Sequence, residues 1–97
     1  MEQDVPLAPS AVVRQSDAAL SNEADGETLL MSVTAGKYFS LDAVGSDVWR
    51  QLAAPIRVDA LCTALEQRYD AAPGTVERDV LALLASLRRH GLIDLES

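Results

Sequence analysis

Gly36-Lys37-Tyr38-Phe39-Ser40-Leu41-Asp42-Ala43-Val44-Gly45-Ser46-Asp47-Val48-Trp49 carries the chain from an extended run directly into a helix. From Lys37 to Leu41 the side chains alternate, with Phe39 and Leu41 on one face and Tyr38 and Ser40 on the other. That is the pattern of a strand covered on one side only. At Asp42 the period changes. Its carboxylate can accept from the free N–H groups of a first helical turn, and Val44, Val48 and Leu52 then follow at helical spacing. Phe39, Leu41, Val44, Val48 and Trp49 are therefore expected to form the hinge of one core.

Toward the N-terminus, Thr28 to Thr34 is the clearest strand, with Leu29, Met31 and Val33 on one side and Ala35-Gly36 supplying a tight reversal into Lys37. Ala11 to Ser16, around Val12 and Val13, is predicted to be a third strand of the same small antiparallel sheet. Between them, Ser21 to Glu27 is rich in turn formers and acids and predicts a mobile loop. Residues 1–10, with Glu2, Asp4, Pro6 and Pro9, read as a flexible arm ahead of a domain spanning 11–97.

Toward the C-terminus, Ala54-Pro55 ends the first helix, because proline lacks a donor and disfavours helical geometry in the residue before it. A second helix is predicted from about Val58 to Tyr69, where Val58, Leu61, Cys62, Leu65 and Tyr69 form one apolar stripe and Asp59 suits the positive end. After a break over Asp70 to Gly74, a third helix starts near Pro73 or Thr75. Glu77 and Asp79 fall early in it and Arg88, Arg89 and His90 late, as the helix dipole favours. Gly91 terminates it, and Leu92, Ile93 and Leu95 form an extended tail that returns to the core or the sheet. Val76, Val80, Leu83 and Leu87 make one stripe of the third helix, and Leu81 and Leu84 widen it beyond the needs of one small core. Two readings stand: a central helix buried on two sides, or a helix whose surplus face lines a groove for a partner.

Ninety-seven residues suit one domain, which at this size buries about 60–65% of the surface its unfolded chain exposes. A net charge of −7 repels phosphate backbones and anionic membranes, so neither nucleic acid nor membrane is expected as a partner. The single cysteine, Cys62, excludes an internal disulfide and agrees with a reducing compartment. No apolar run is long enough to cross a bilayer, and the N-terminal residues lack the lysines and apolar stretch of a signal peptide. A cytoplasmic protein is expected.

Catalytic chemistry is sparse. His90, the only histidine, sits in a basic last turn where free carbonyls are its natural partners, and Cys62 lies on an apolar stripe as a small core residue. Phosphate loops, paired-histidine metal motifs and nucleophile elbows are missing from the sequence, so neither an enzyme nor a cofactor or metal site is expected. Strands followed by three helices raise a winged-helix DNA-binding regulator as the runner-up. Its recognition helix would need cations and amides, whereas the third helix here offers leucines with Arg78, Arg88 and Arg89. Third comes an acyl or peptidyl carrier protein, suggested by Ser40-Leu41-Asp42. Carriers place Asp-Ser-Leu at a helix start, while here Phe39 stands in place of the aspartate and Ser40 lies in a strand-like run.

The run from Tyr38 to Trp49, an aromatic pair, a variable residue, Leu-Asp, a glycine-containing first turn, then a branched aliphatic and Trp, resembles the PqqD-like family. These are the recognition elements of ribosomally synthesised peptide (RiPP) pathways, and the likeness is greatest to the small stand-alone members of lasso-peptide clusters. It continues through Val58-Asp59-Ala60-Leu61, Leu65 to Asp70, and Glu77-Arg78-Asp79-Val80-Leu81 to Gly91-Leu92-Ile93, covering about Val12 to Leu95. Two departures are Arg57, where a capping Ser or Thr is common, and Ala72 before Pro73, which moves the expected cap to Thr75. The resemblance implies an α+β, winged helix-turn-helix-like fold of three antiparallel strands followed by three helices. It also implies a non-catalytic task, holding a precursor's leader peptide as a further strand on the edge of strand 37–41, against the third helix. On this reading Lys37, Tyr38, Phe39, Ser40 and Leu41 form the template, and Val76, Asp79, Val80, Leu83, Leu84 and Leu87 the wall. Phe39 and Leu41 serve through their backbone, while Tyr38 and Lys37 are the exposed contacts; Arg78 and Asp79 either orient polar leader groups or are solvated. The implied partners are the leader peptide and a cognate leader peptidase, a transglutaminase-like cysteine protease, or another RiPP-modifying enzyme. The chain itself would be a monomer or weak homodimer.

Overall fold

The computed structural model describes residues 7–70, 72 and 74–96. Its strands are β1 (Val12–Gln15), β2 (Ala19–Ala24), β3 (Glu27–Ser32), β4 (Lys37–Leu41), β5 (Ile56–Arg57) and β6 (Ile93–Glu96). Its helices are α1 (Ala43–Gln51), α2 (Val58–Arg68) and α3 (Thr75–Arg89). The antiparallel meander β2-β3-β4 precedes the three helices, and a second antiparallel sheet, in the order β5-β1-β6, ties together the two ends of the domain. The fold is α+β, as the sequence predicts.

The expected loop over Ser21 to Glu27 is mostly strand. β2 pairs with β3 from Ala19↔Ser32 to Ala24↔Glu27, and Asp25 and Gly26 form the two-residue turn between them with φ of 55° and 81°. Positive φ at both turn residues matches the right-handed twist of a hairpin. The strand is polar because it is an outer strand of its sheet, so no apolar alternation marks it. A second correction concerns Ala11 to Ser16. It does form a strand, but β1 lies in the other sheet, where Val13 is fully buried and pairs with Leu95 on one side and Ile56 on the other. The third strand of the meander is β2.

The tail can reach β1 because Gly91, at φ 75°, ends α3 abruptly. Leu92 N–H donates to Leu87 O at 2.9 Å and Gly91 N–H to Arg88 O at 3.1 Å, the paired bonds of a Schellman cap. Leu92 and Ile93 are thereby driven into the core. At the other end of α3 the cap is Gly74, at φ 84°, and not Thr75. Thr75 instead donates its N–H to Ala72 O, while Pro73, the other expected start, lies outside the described residues. Of the expected N-terminal arm, residues 1–6 lie outside the described residues. Leu7 packs against the core and Pro9 O accepts from Asp59 N–H at 3.0 Å.

Asp42 caps α1, its Oδ1 accepting from Gly45 N–H at 2.8 Å. Gly45 sits close to the strand end: a Cβ there would stand 3.2 Å from Leu41 Cβ and require that neighbour to give way. Buried polar links fasten α1 to the sheet: Thr28 Oγ1 donates to Ser46 Oγ at 2.8 Å, and Ser46 Oγ to Leu41 O at 3.4 Å. Around them Leu30, Leu41, Val48, Trp49, Leu52, Leu61, Leu65, Val80 and Leu84 form the core. The core face of β3 is Thr28, Leu30 and Ser32, so Leu29, Met31 and Val33 lie on the opposite, outer side. Val44, expected in the core hinge, is 40% exposed. The helix turns Ser46, Val48 and Trp49 inward, which rotates Val44 out toward α3.

Candidate functional site

Among the described residues β4 has one paired side and one open side, because it ends the order β2-β3-β4. Which of its backbone groups are open follows from the turn. Ala24 and Glu27 close a two-residue hairpin and so form a hydrogen-bonded pair, and such pairs recur at every second position. Glu27, Leu29 and Met31 therefore aim their N–H and C=O groups at β2. The same parity appears one step further on, where Val33 N–H donates to Ala18 O at 2.9 Å. Thr28, Leu30 and Ser32 must then face β4, where their partners are Leu41, Phe39 and Lys37. What remains open on β4 is the N–H and C=O of Tyr38 and of Ser40.

Beside that edge lies a cleft floored by the start of α1 and walled by the first half of α3. One hollow of about 180 Å³ is lined by Val44, Val48, Tyr69, Thr75, Val76, Asp79, Val80 and Leu83. A second, wider one of about 600 Å³ adjoins it through Val44, Asp79 and Leu83 and reaches β4 at Ser40 and Leu41, with Asp42, Gly45 and Ala82 completing it. The inner hollow is almost wholly apolar, while Asp42 and Asp79 give the cleft a negative rim.

Tyr69 is held in the inner wall by a polar cluster. Its hydroxyl donates to Asp47 Oδ2; Arg50 Nη1 pairs with Asp47 Oδ1, and Arg68 Nη2 approaches the same oxygen at 3.4 Å. Arg50 also forks onto Glu23 of β2 at 3.2 Å to each carboxylate oxygen. The Tyr69 hydrogen bond, reinforced by the charges of Arg68 and Arg50 and opposed by burial, holds the Asp47 carboxyl below its usual range. The same bond raises the Tyr69 phenol.

The residues expected at the site divide. Lys37, Tyr38 and Ser40 are exposed on β4, whereas Phe39 and Leu41 turn inward and can act there only through backbone. The rings of Phe39 and His90 meet tilted at 55° with centroids 4.6 Å apart, and His90 Nδ1 lies 2.8 Å from Ser86 O, so the lone histidine satisfies a helix-end carbonyl and pins α3 to β4. Val76, Asp79, Val80 and Leu83 come together in the cleft. Leu84 and Leu87 do not: they are 0% and 3% exposed in the core, because the helix turns them toward the remaining core residues. Val44, Val48, Thr75 and Tyr69 are cleft residues that sequence reasoning did not assign. Their apolar spacing is indistinguishable from that of core positions. Among the described residues no His, Cys, Asp and Glu group could hold a metal ion, and no helix is long and apolar enough to cross a membrane.

A winged-helix-like α+β domain with an open strand edge beside an apolar helix-walled cleft is the class that this fold and site define. The chain belongs to the PqqD family: the model of coenzyme PQQ synthesis protein D (PqqD) matches residues 27–93. Among solved structures it is similar to TbiB1 in complex with the TbiA(beta) leader peptide, at 36% identity and a TM-score of 0.77, covering 84% of this chain and 94% of that one. It is also similar to the PqqD truncation of Methylobacterium extorquens PqqCD, described as a stand-alone RiPP recognition element. There the identity is 24% and the TM-score 0.77, with 97% of this chain and 99% of that one covered. A lasso peptide synthetase B1 complexed with its leader peptide is 21% identical, with a TM-score of 0.73, covering 84% of this chain and 96% of that one. The last two likenesses establish the shared fold. No curated protein matches the sequence.

Proposed function

We infer that this chain is a non-catalytic recognition protein that binds the leader segment of a ribosomally made precursor peptide. It then presents that precursor to a processing enzyme in a lasso-type pathway. The observation that carries this reading is the coincidence of open main-chain groups at Tyr38 and Ser40 with an apolar cleft immediately beside them. An extended peptide gains hydrogen bonds from such an edge whatever its sequence, and specificity from the pockets that receive its alternate side chains. Lys37 to Leu41 act as template, Val44, Val76, Val80 and Leu83 receive an apolar side chain, and Asp79 favours a cationic or hydrogen-bond-donating neighbour. That the 36% identical TbiB1 is found in complex with a leader peptide supports a leader as the occupant.

In this role residues 11–97 are the binding domain, and the protein works in the cytoplasm as a monomer or weak dimer. Holding the leader raises the effective concentration of the precursor at its enzyme, a leader-removing cysteine protease of transglutaminase type. The test is titration of a fluorescent synthetic leader, taken from the short precursor gene expected beside this chain's own, with a scrambled peptide as control. Saturable binding competed by unlabelled leader supports the reading; no binding by a folded sample refutes it.

A further inference from the structure

Leu20, Leu29, Val33 and Tyr38 are 57%, 47%, 52% and 66% exposed, and all lie on the outer side of β2-β3-β4 or at its hairpin end. The register sets Leu20 opposite Met31 and Met31 opposite Tyr38, one apolar row across all three strands. Among the described residues no element covers this face. A small protein that leaves such a row in water has a use for it.

We propose that the outer face of β2-β3-β4 is the docking surface for the enzyme that acts on the seated peptide, a protein presenting an apolar patch rimmed by lysine or arginine. This rests on the leader-binding reading. Three observations select that occupant. The strand positions on this face carry no lysine or arginine, and Asp25 and Glu27 stand at its turn end, so the complementary rim is cationic. A second copy would bring the same acidic turn and the same net charge of −7, which disfavours self-pairing, and an anionic membrane is repelled for the same reason. Finally, Tyr38 and Ser40 belong to this face and also carry the open edge groups. A strand added there extends the face with its own alternate side chains, so a partner seated on it touches chain and peptide together and binds the loaded form more tightly.

The test uses the double variant Leu20→Lys/Val33→Lys, neither position lying opposite a residue of β4, with Leu20→Ser as a milder second variant. Two affinities are measured: that of the fluorescent leader, and that of the leader-loaded chain for the purified leader peptidase expected to be encoded in the same gene cluster. The expected result is unchanged leader affinity and melting midpoint, with enzyme affinity lowered by about ten-fold or more, as loss of central apolar contacts produces. Wild-type chain without leader should bind the enzyme more weakly than loaded chain. Unchanged enzyme affinity in the double variant, or a wild-type dimer that the variant dissociates, overturns the docking surface and leaves leader recognition standing. Failure of the leader itself to bind removes the recognition reading, and the docking surface with it.

Discussion

Ser40→Pro isolates the edge of β4. The parity derived from the Asp25-Gly26 turn leaves the Ser40 N–H open, so proline at this position removes no bond to β3. Prolines are tolerated on edge strands when the missing donor faces outward, and Phe39 is already extended, as a residue before proline must be. The hairpin should therefore survive. An added strand, by contrast, has four backbone groups to pair with, the N–H and C=O of Tyr38 and Ser40. Each net hydrogen bond contributes about 1 kcal/mol, so loss of one donor weakens binding by about five-fold. The proline ring also occupies the approach of the incoming strand. Loss of both Ser40 bonds would cost about 2 kcal/mol, or about thirty-fold. Leader titration by fluorescence anisotropy reads the effect, with far-UV circular dichroism and a thermal melt reporting the fold. Ser40→Ala keeps the N–H and should bind as wild type. A folded Ser40→Pro protein with wild-type leader affinity would refute edge pairing at this position.

Neighbouring leucines on α3 should behave differently. Leu83→Asp sets a carboxylate in both hollows and should abolish leader binding in a folded protein, whereas Leu84→Ala opens the core at a fully buried site and should cost about 2–5 kcal/mol in chemical denaturation. Thr28→Val removes the 2.8 Å donor to Ser46 while keeping shape; a loss of about 1 kcal/mol is expected in the same assay, with Ser46 still able to donate to Leu41 O. Because the folded-state pKa of Asp47 is depressed, its stabilising contribution is present above the ordinary carboxylate value of 3.8 and is lost as pH falls through the lower folded value. Melting curves taken from neutral pH into the acid range should show that loss in wild type and a flatter acid limb in Asp47→Asn.

The division between what could be read along the chain and what could not is clearest at individual residues. The alternation of Lys37 to Leu41, the Asp42 cap, the second helix and the Gly91 stop are local properties, set by side-chain period and backbone donors within a few residues. They were legible for that reason. The three-helix order and the family likeness came from the same local signals in sequence. By contrast, β2 carries Ser21, Asn22 and Glu23 and no apolar period, because an outer strand can be held by main-chain bonds that composition does not record. β1 is legible as a strand but not as a neighbour of β6, since that pairing joins residues some 80 positions apart.

The site divides in the same way. Sequence alone determined that an exposed Tyr38 and Ser40 alternate with inward Phe39 and Leu41, and that α3 is more apolar than one core stripe requires. Only the tertiary structure decided which α3 residues meet the cleft, turning Val76, Asp79 and Leu83 toward it and Leu84 and Leu87 into the core. Only the tertiary structure, again, sent Val44 out of the core and placed Tyr69 in the cleft wall. A helical period fixes which side chains share a face, but the rotation of that face is set by what packs against it. Here that is α2 and the returning β6, within a buried cluster that also takes in Leu30, Val48, Leu61 and Leu65 from segments far apart in the chain.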